Sequence, residues 1–258
     1  MASYTKGIYK NTAVTIIDFY SVVQKAQKIH NLDNAHAGEL GKVLAFAEYL
    51  CSSYKSPLDT LSVTAVFDEG KIVVVAKGDR TLKGYIDPLN LVEGEYKKGA
   101  LVVIKGENLK KPYTGTCFFE EGLLDGFFKY YETSEQNELH QDIVIDMEKG
   151  VARAIFAQFL PGATMDDMLA CDKIFIENDN EGIAKFYLDN FEKLSTTEFV
   201  FKCDCSQDRI DRAIMALGKQ EAESIIKEQG KIEVKCEFCQ TNYTFDEIEL
   251  KRLFRELN

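Results

Sequence analysis

The chain reads as an α+β protein in three parts. An N-terminal core of largely antiparallel sheet with packed helices spans residues 1–163, a helical linker spans 164–199, and a small four-cysteine domain spans 200–258. Three observations predict this. Apolar spacing near the N-terminus is helical and then changes to the period of strands joined by short turns, the pattern of helices packed on an antiparallel sheet. Pro161-Gly162 breaks the chain, and helical signals return beyond it. Near the C-terminus four cysteines stand in two pairs: Cys203-Asp204-Cys205 and, after thirty residues, Cys236-Glu237-Phe238-Cys239.

Taken in order, Val22, Val23, Ala26 and Ile29 recur at helical spacing, as do Leu40, Leu44, Ala47 and Leu50, so residues 18–54 are expected to be helical. Leu61, Val63, Ala65 and Phe67 then alternate with Ser62, Thr64 and Val66 as a strand. Asp68-Glu69-Gly70 reads as a hairpin turn and 72–76 as the returning strand. Further strands are expected at 81–86, 101–105 and 113–119, and a short helix at 120–134. Residues 143–146 and 151–160 form another hairpin around Glu148-Lys149-Gly150. Beyond the break, Thr164 suits an N-cap, with Asp166 and Asp167 in the favourable first turn. The helical signal runs to 194. Asn178, Asn180 and Gly182 interrupt it, which makes two helices.

The C-terminal segment has its own pattern. Ser206 can cap a helix carrying Ile210, Ala213, Ile214 and Leu217, with Gly218 as its stop. Ala222, Ile225 and Ile226 mark a second helix ending at Gly230. Residues 232–235 and 242–245 read as two short strands, and Asp246 with Glu249 as a capping box opening a last helix.

A chain of 258 residues, 45% hydrophobic, suits one large domain plus a small one with a real core. Its net charge of −11 disfavours nucleic acid, whose phosphates are held by Lys and Arg. Residues 200–258 offer no exception, with ten Lys/Arg against twelve Asp/Glu. No run approaches the roughly 18 apolar residues of a membrane span. Residues 1–20 lack a basic stretch followed by an apolar one, so no signal peptide is expected and the protein is assigned to the cytoplasm. No glycine-rich phosphate loop is present, so no nucleotide is expected.

In a reducing compartment, paired thiols point to metal or redox chemistry before structural disulfides. Zinc favours tetrahedral sulfur, and a site closed by four protein ligands is structural. Cys203, Cys205, Cys236 and Cys239 are therefore the candidate ligands of one Zn²⁺ per reduced chain. Binding contributes on the order of 10–16 kcal/mol in small zinc peptides, so a 59-residue module is expected to fold with its metal. A thiol-disulfide oxidoreductase is the distant alternative from Cys236-x-x-Cys239 alone, because no strand–helix thioredoxin pattern surrounds it. Cys51, Cys117 and Cys171 stand singly and read as core. His30, His36 and His140 pair with no cysteine at catalytic spacing, so no catalytic residue and no enzyme activity are expected. The aromatics Phe118, Phe119, Phe127, Phe128, Tyr130 and Tyr131 are read first as core and second as a binding surface.

These residues resemble one family, the Hsp33 redox-regulated chaperones of bacteria. The likeness is carried by Cys203-x-Cys205-Ser206 with Arg209, by Ala216-Leu217-Gly218-Lys219, and by Glu233-Val234-Lys235-Cys236-Glu237-Phe238-Cys239 through Tyr243 and Phe245. In the N-terminal part it is carried by Ala26-Gln27 with His30, Leu40-Gly41, Pro112-Tyr113-Thr114-Gly115, Ser134-Glu135-Gln136 and Gln158-Phe159-Leu160-Pro161-Gly162-Ala163. The resemblance implies an ATP-independent holdase that is folded and inactive while four thiolates hold zinc. Oxidants then expel the metal, the zinc module and linker unfold, and apolar surface captures unfolding client proteins, with a homodimer as the oxidised form. The physics is coherent, because removing the metal removes the folding energy of a small module. The chain departs from the family pattern at Asp68-Glu69-Gly70-Lys71, at Arg153-Ala154, and in a shorter span over 164–202. The last departure keeps a second reading in play: a non-switching zinc protein of this scaffold with constitutive chaperone or partner binding. On oxidation, disulfides are expected within each pair, Cys203–Cys205 and Cys236–Cys239, since near neighbours close the smallest loops.

Overall fold

The computed structural model describes residues 1–87, 96–106 and 112–254; positions 255–258 of the expected C-terminal domain lie outside the described residues. The chain divides into two compact units, Met1–Lys202 and Cys203–Asn258.

The first unit is built on a ten-stranded sheet. Two strands that periodicity did not reveal open it: β1 (Ala2–Tyr9) and β2 (Thr12–Asp18), a hairpin turning through Lys10 at φ +50°. Polar residues interrupt both stretches on either face, so no clean alternation marks them, and a strong helical signal follows. Helices α1 (Tyr20–His30) and α2 (Asn34–Cys51) follow, as the apolar spacing predicts. Asp33 caps α2 by accepting from the His36 amide. Strands β3 (Thr60–Phe67), β4 (Gly70–Lys77), β5 (Thr81–Asp87), β6 (Gly99–Gly106) and β7 (Tyr113–Phe119) form an antiparallel half-sheet. The expected helix at 120–134 is α3 (Leu123–Tyr130) prolonged by a π turn, Tyr131–Glu135. The second hairpin is β8 (Leu139–Asp146) with β9 (Val151–Phe159).

Beyond the Pro161-Gly162 break come α4 (Met165–Glu177) and α5 (Asn180–Asn190), separated where Asn178 and Asn180 suggested. Thr164 caps α4 with Asp167 in a full capping box. The helical reading fails after Asn190. Residues Glu192–Phe201 are a strand, β10, paired antiparallel with β1 over Ala2–Ile8 and parallel with β5 at Val200 and Phe201. Its Thr196, Thr197, Phe199, Val200 and Phe201 are β-favouring, but its partner lies at the other end of the chain, so local sequence could not reveal the pairing.

The sheet order is β7-β6-β3-β4-β5-β10-β1-β2-β9-β8. Helix α2 is buried along most of its length against one face, where Phe46 stacks on Phe127 at 4.2 Å. The β2/β9 segment is covered on both faces. Successive residues of β9 point to opposite sides: Ala154 and Phe156 join the α2 core, while Ile155, Ala157 and Phe159 join a second core with Val14 and Ile16 beneath α4 and α5. That second core takes Cys171, Ile174, Ile183, Ala184 and Tyr187 from the two helices. Three polar ties supplement it. Asn11 donates to Asp167 at 2.8 Å, His140 Nε2 meets Asp172 at 2.7 Å, and Asn180 donates to Asp142 at 2.8 Å.

The second unit holds α6 (Gln207–Leu217), α7 (Lys219–Gln229), β11 (Ile232–Lys235), β12 (Asn242–Phe245) and α8 (Glu247–Leu253), each close to its expected place. Ser206 caps α6, Gly218 at φ +90° ends it, Gly230 at φ +79° ends α7, and Asp246 with Glu249 forms the capping box of α8. Its buried core is small: Ile214, Ala222, Ile226, Ile232, Phe245 and Leu250.

Candidate metal centre

The four expected ligands converge. The Sγ atoms of Cys203, Cys205, Cys236 and Cys239 all lie within 4.8 Å of one another. Each element contributes through its backbone. The segment leaving β10 carries Cys203 and Cys205, and Ser206 turns it into α6 by accepting from the Arg209 amide. The β11–β12 hairpin carries the other two. Its closing turn is held by the Cys236 amide donating to Thr241 O at 2.9 Å and the Gln240 amide donating to Cys236 O at 2.8 Å. Gln240 takes φ +60°, so the chain doubles back and leaves both sulfurs on one side.

The sulfurs fit a tetrahedral ion. A Zn–S bond of about 2.3 Å places tetrahedral sulfurs roughly 3.8 Å apart. Cys203 and Cys236 are separated by 3.7 Å, and Cys205 and Cys239 by 3.2 Å. Among the described residues the cluster consists of these four soft sulfur donors, a set that could hold a metal ion.

Two hydroxyls reach the sulfurs. Tyr243 donates to Cys205 Sγ at 3.1 Å, and the Thr241 hydroxyl lies 3.2 Å from Cys239 Sγ. Burial works to raise the Cys239 thiol, yet hydrogen bonds from the Thr241 side chain and backbone and from Cys205 and Cys236 outweigh it, bringing the thiol down to about 7. In Cys236 burial prevails and the thiol is raised. The bond to Cys205 raises the Tyr243 phenol to about 12, so it stays a donor at neutral pH. Sequence reasoning assigned neither hydroxyl a role; their positions two and four residues after Cys239, just before and on the returning strand of the knuckle, were the available signal.

The remaining candidates lie elsewhere. Cys51, Cys117 and Cys171 are buried, and burial raises their thiols to about 12, 11 and 11. His30 closes α1 and meets Gly84 O, His36 sits with Asp33 at the start of α2, and His140 bridges to α4. Of the aromatics, Phe119, Phe127, Tyr130 and Tyr131 are core, whereas Phe118 is 75% exposed.

Comparison with known proteins gives this arrangement a family. The profile of the Hsp33 protein family matches residues 5–246. A 33 kDa chaperonin of Thermoanaerobacter sp. (strain X514) is 29% identical over 96% of this chain and 95% of its own. A 33 kDa chaperonin of Streptococcus thermophilus is 30% identical over 93% and 94%. The crystal structure of the 33 kDa chaperonin (heat shock protein 33 homolog) of Thermotoga maritima superposes with a TM-score of 0.80, covering 99% of this chain and 98% of that one at 21% identity, a likeness of fold. A profile match across nearly the whole chain, on a fold that brings the two cysteine pairs together, shows that this chain belongs to the Hsp33 family.

Proposed function

We propose that the chain is a redox-regulated, ATP-independent holdase that binds unfolding proteins in the cytoplasm, acting by binding alone and without a catalytic residue. The observation that carries this reading is the cluster of four sulfurs within 4.8 Å. Cys203, Cys205, Cys236 and Cys239 would hold one Zn²⁺ in the reduced chain, and the ion would supply a four-way cross-link for a unit whose core holds six buried apolar residues among the described ones.

Oxidation follows from the chemistry of the thiols. A peroxide transfers oxygen to one thiolate, giving a sulfenic acid and hydroxide. A neighbouring thiolate then attacks that sulfur, forming a disulfide and releasing a second hydroxide. Each disulfide removes two ligands, and the second unit loses its cross-link. The proposed pairs are Cys203–Cys205 and Cys236–Cys239.

The client surface is proposed beneath α4 and α5. Releasing these helices uncovers Val14, Ile16, Ile155, Ala157 and Phe159, a continuous apolar face of β2 and β9. A homodimer of the oxidised form accompanies this reading. The acidic net charge of −11 argues against nucleic acid as a partner. A second reading, constitutive binding, is favoured by one observation: Met165, Leu169 and Ile176 of α4 are already exposed at 69%, 58% and 82%.

One experiment separates the two. Zinc content and suppression of aggregation of a heat-unfolded client are measured on the full chain before and after peroxide. The switching reading expects one zinc per reduced chain, loss of zinc on oxidation, and suppression only afterwards. Equal suppression in both states establishes constitutive binding, and zinc retained after replacing both Cys236 and Cys239 with serine overturns the metal assignment.

A further inference from the structure

β10 is held in the sheet by its backbone more than by its side chains. Seven of its ten residues are exposed, and only Phe199 and Phe201 are buried. Its main chain pairs with β1 at seven positions, from Ala2↔Phe199 to Ile8↔Glu192, with a bulge opposite Lys6/Gly7. On its other side it meets β5 only at Val200 and Phe201. Ladder hydrogen bonds are made by any extended chain, so what this place in the sheet demands of sequence is two large apolar side chains two residues apart.

Both ends of β10 are tied to segments that the proposed switch would unfold. Phe191, between α5 and β10, lies over Gly7: a Cβ there would stand 2.2 Å from Phe191 Cδ2. At the other end Phe201 is followed by Lys202 and then by Cys203, the first sulfur of the metal site. When α4–α5 and the second unit lose structure, β10 keeps its ladder to β1, its short pairing with β5 at Val200 and Phe201, and its two phenylalanines.

We propose that β10 is an internal stand-in for client, and that its departure opens the edge of β1 as a strand-addition site for extended segments of unfolded polypeptide carrying large apolar residues at i and i+2. The proposal rests on the switching chaperone reading. The vacated edge offers the backbone of Ala2–Ile8 and the place of Phe199 beside Tyr4, whose rings lie 6.3 Å apart. An unfolded chain supplies what the edge lacks: unpaired N–H and C=O groups and apolar side chains, with little sequence restriction. A permanently open edge of this length would invite aggregation, which gives the covering strand a purpose at rest.

The test uses a fluorescent peptide of residues 192–201 as probe and the full-length chain, reduced with zinc or peroxide-treated. The expected result is binding at least tenfold tighter to the oxidised chain, competition with an unfolded client, and at least tenfold weaker binding when both phenylalanines of the peptide are serine. Two further peptides, N-methylated at alternate residues in the two possible registers, separate ladder pairing from simple apolar capture, since one of them must lose binding. A chain with Phe191→Ala, which removes the clamp on Gly7, should bind the peptide while reduced. Oxidised chain that suppresses aggregation but ignores the peptide overturns the edge proposal and leaves the holdase reading intact, as does equal binding of both N-methylated peptides. Peptide binding without any protection of clients does the reverse. Concentration-dependent dimerisation that shuts out the peptide would assign the edge to a second copy and also overturn the proposal.

Discussion

The Tyr243 hydroxyl donates to the sulfur of Cys205 across 3.1 Å, tying the second strand of the knuckle to the other cysteine pair. Hydrogen bonds of this kind orient a metal's ligands and draw charge from the sulfur. Tyr243→Phe should therefore lower zinc affinity by about tenfold and speed peroxide-driven zinc release, read with a chromogenic chelator. Unchanged affinity and rate would show the contact to be incidental.

Disulfide pairing is the second prediction. Two short sulfur separations run across the pairs, Cys205 to Cys239 at 3.2 Å and Cys203 to Cys236 at 3.7 Å. Folded-state proximity would thus favour crossed bridges, whereas loop closure favours bridges within each pair. If the unit loosens once the metal goes, loop length decides and peptide mapping of fully oxidised protein should find Cys203–Cys205 and Cys236–Cys239. Predominant crossed bridges would mean that the unit stays folded while it oxidises.

Glu48 supplies a pH dependence unrelated to the cysteines. It lies in α2, 1% exposed, with neither carboxyl oxygen hydrogen-bonded, and burial raises it to about 8 despite Arg80 and Lys6 nearby. A raised acid favours folding while protonated. Its contribution is complete below about pH 4.5, the unfolded value, and is lost as pH climbs through about 8. The change is on the order of 5 kcal/mol. Thermal melts of Glu48→Gln should lose this part of the slope between pH 5 and 8 and be more stable than the parent at pH 8.5. The same slope in both proteins would contradict the assignment.

The cap of α4 is a fourth lever. Thr164 Oγ1 accepts from the Asp167 amide, and Asp167 accepts from the Thr164 amide at 3.0 Å. Thr164→Ala should cost about 1 kcal/mol of helix stability. Amide exchange should quicken across α4 while α2 keeps its protection, and activation should need less oxidant. Uniform exchange changes throughout the first unit would indicate that α4 does not open by itself.

Much of this protein was written locally. Ser206, Gly218, Gly230 and the Asp246/Glu249 capping box placed every helix of the second unit, because caps act over three or four residues. The alternation from Leu61 to Phe67 placed β3 for the same reason. The cluster of four sulfurs was legible from the spacing of the thiols, since such paired cysteines are distinctive.

Tertiary structure decided what sequence distance concealed. β10 looked like a continuation of the linker because its partner, β1, lies about 190 residues away, and a ladder that long-range leaves no local period. Which face of β9 meets α2 and which meets α4–α5 depended on both helical layers being in place. The roles of Tyr243 and Thr241 emerged only when the hairpin turned them toward the sulfurs. Caps, turns and thiol spacing are short-range properties that a sequence states outright. Strand partners and the hydroxyls around a metal site are set by chain segments meeting in space, and only the folded molecule brings them together.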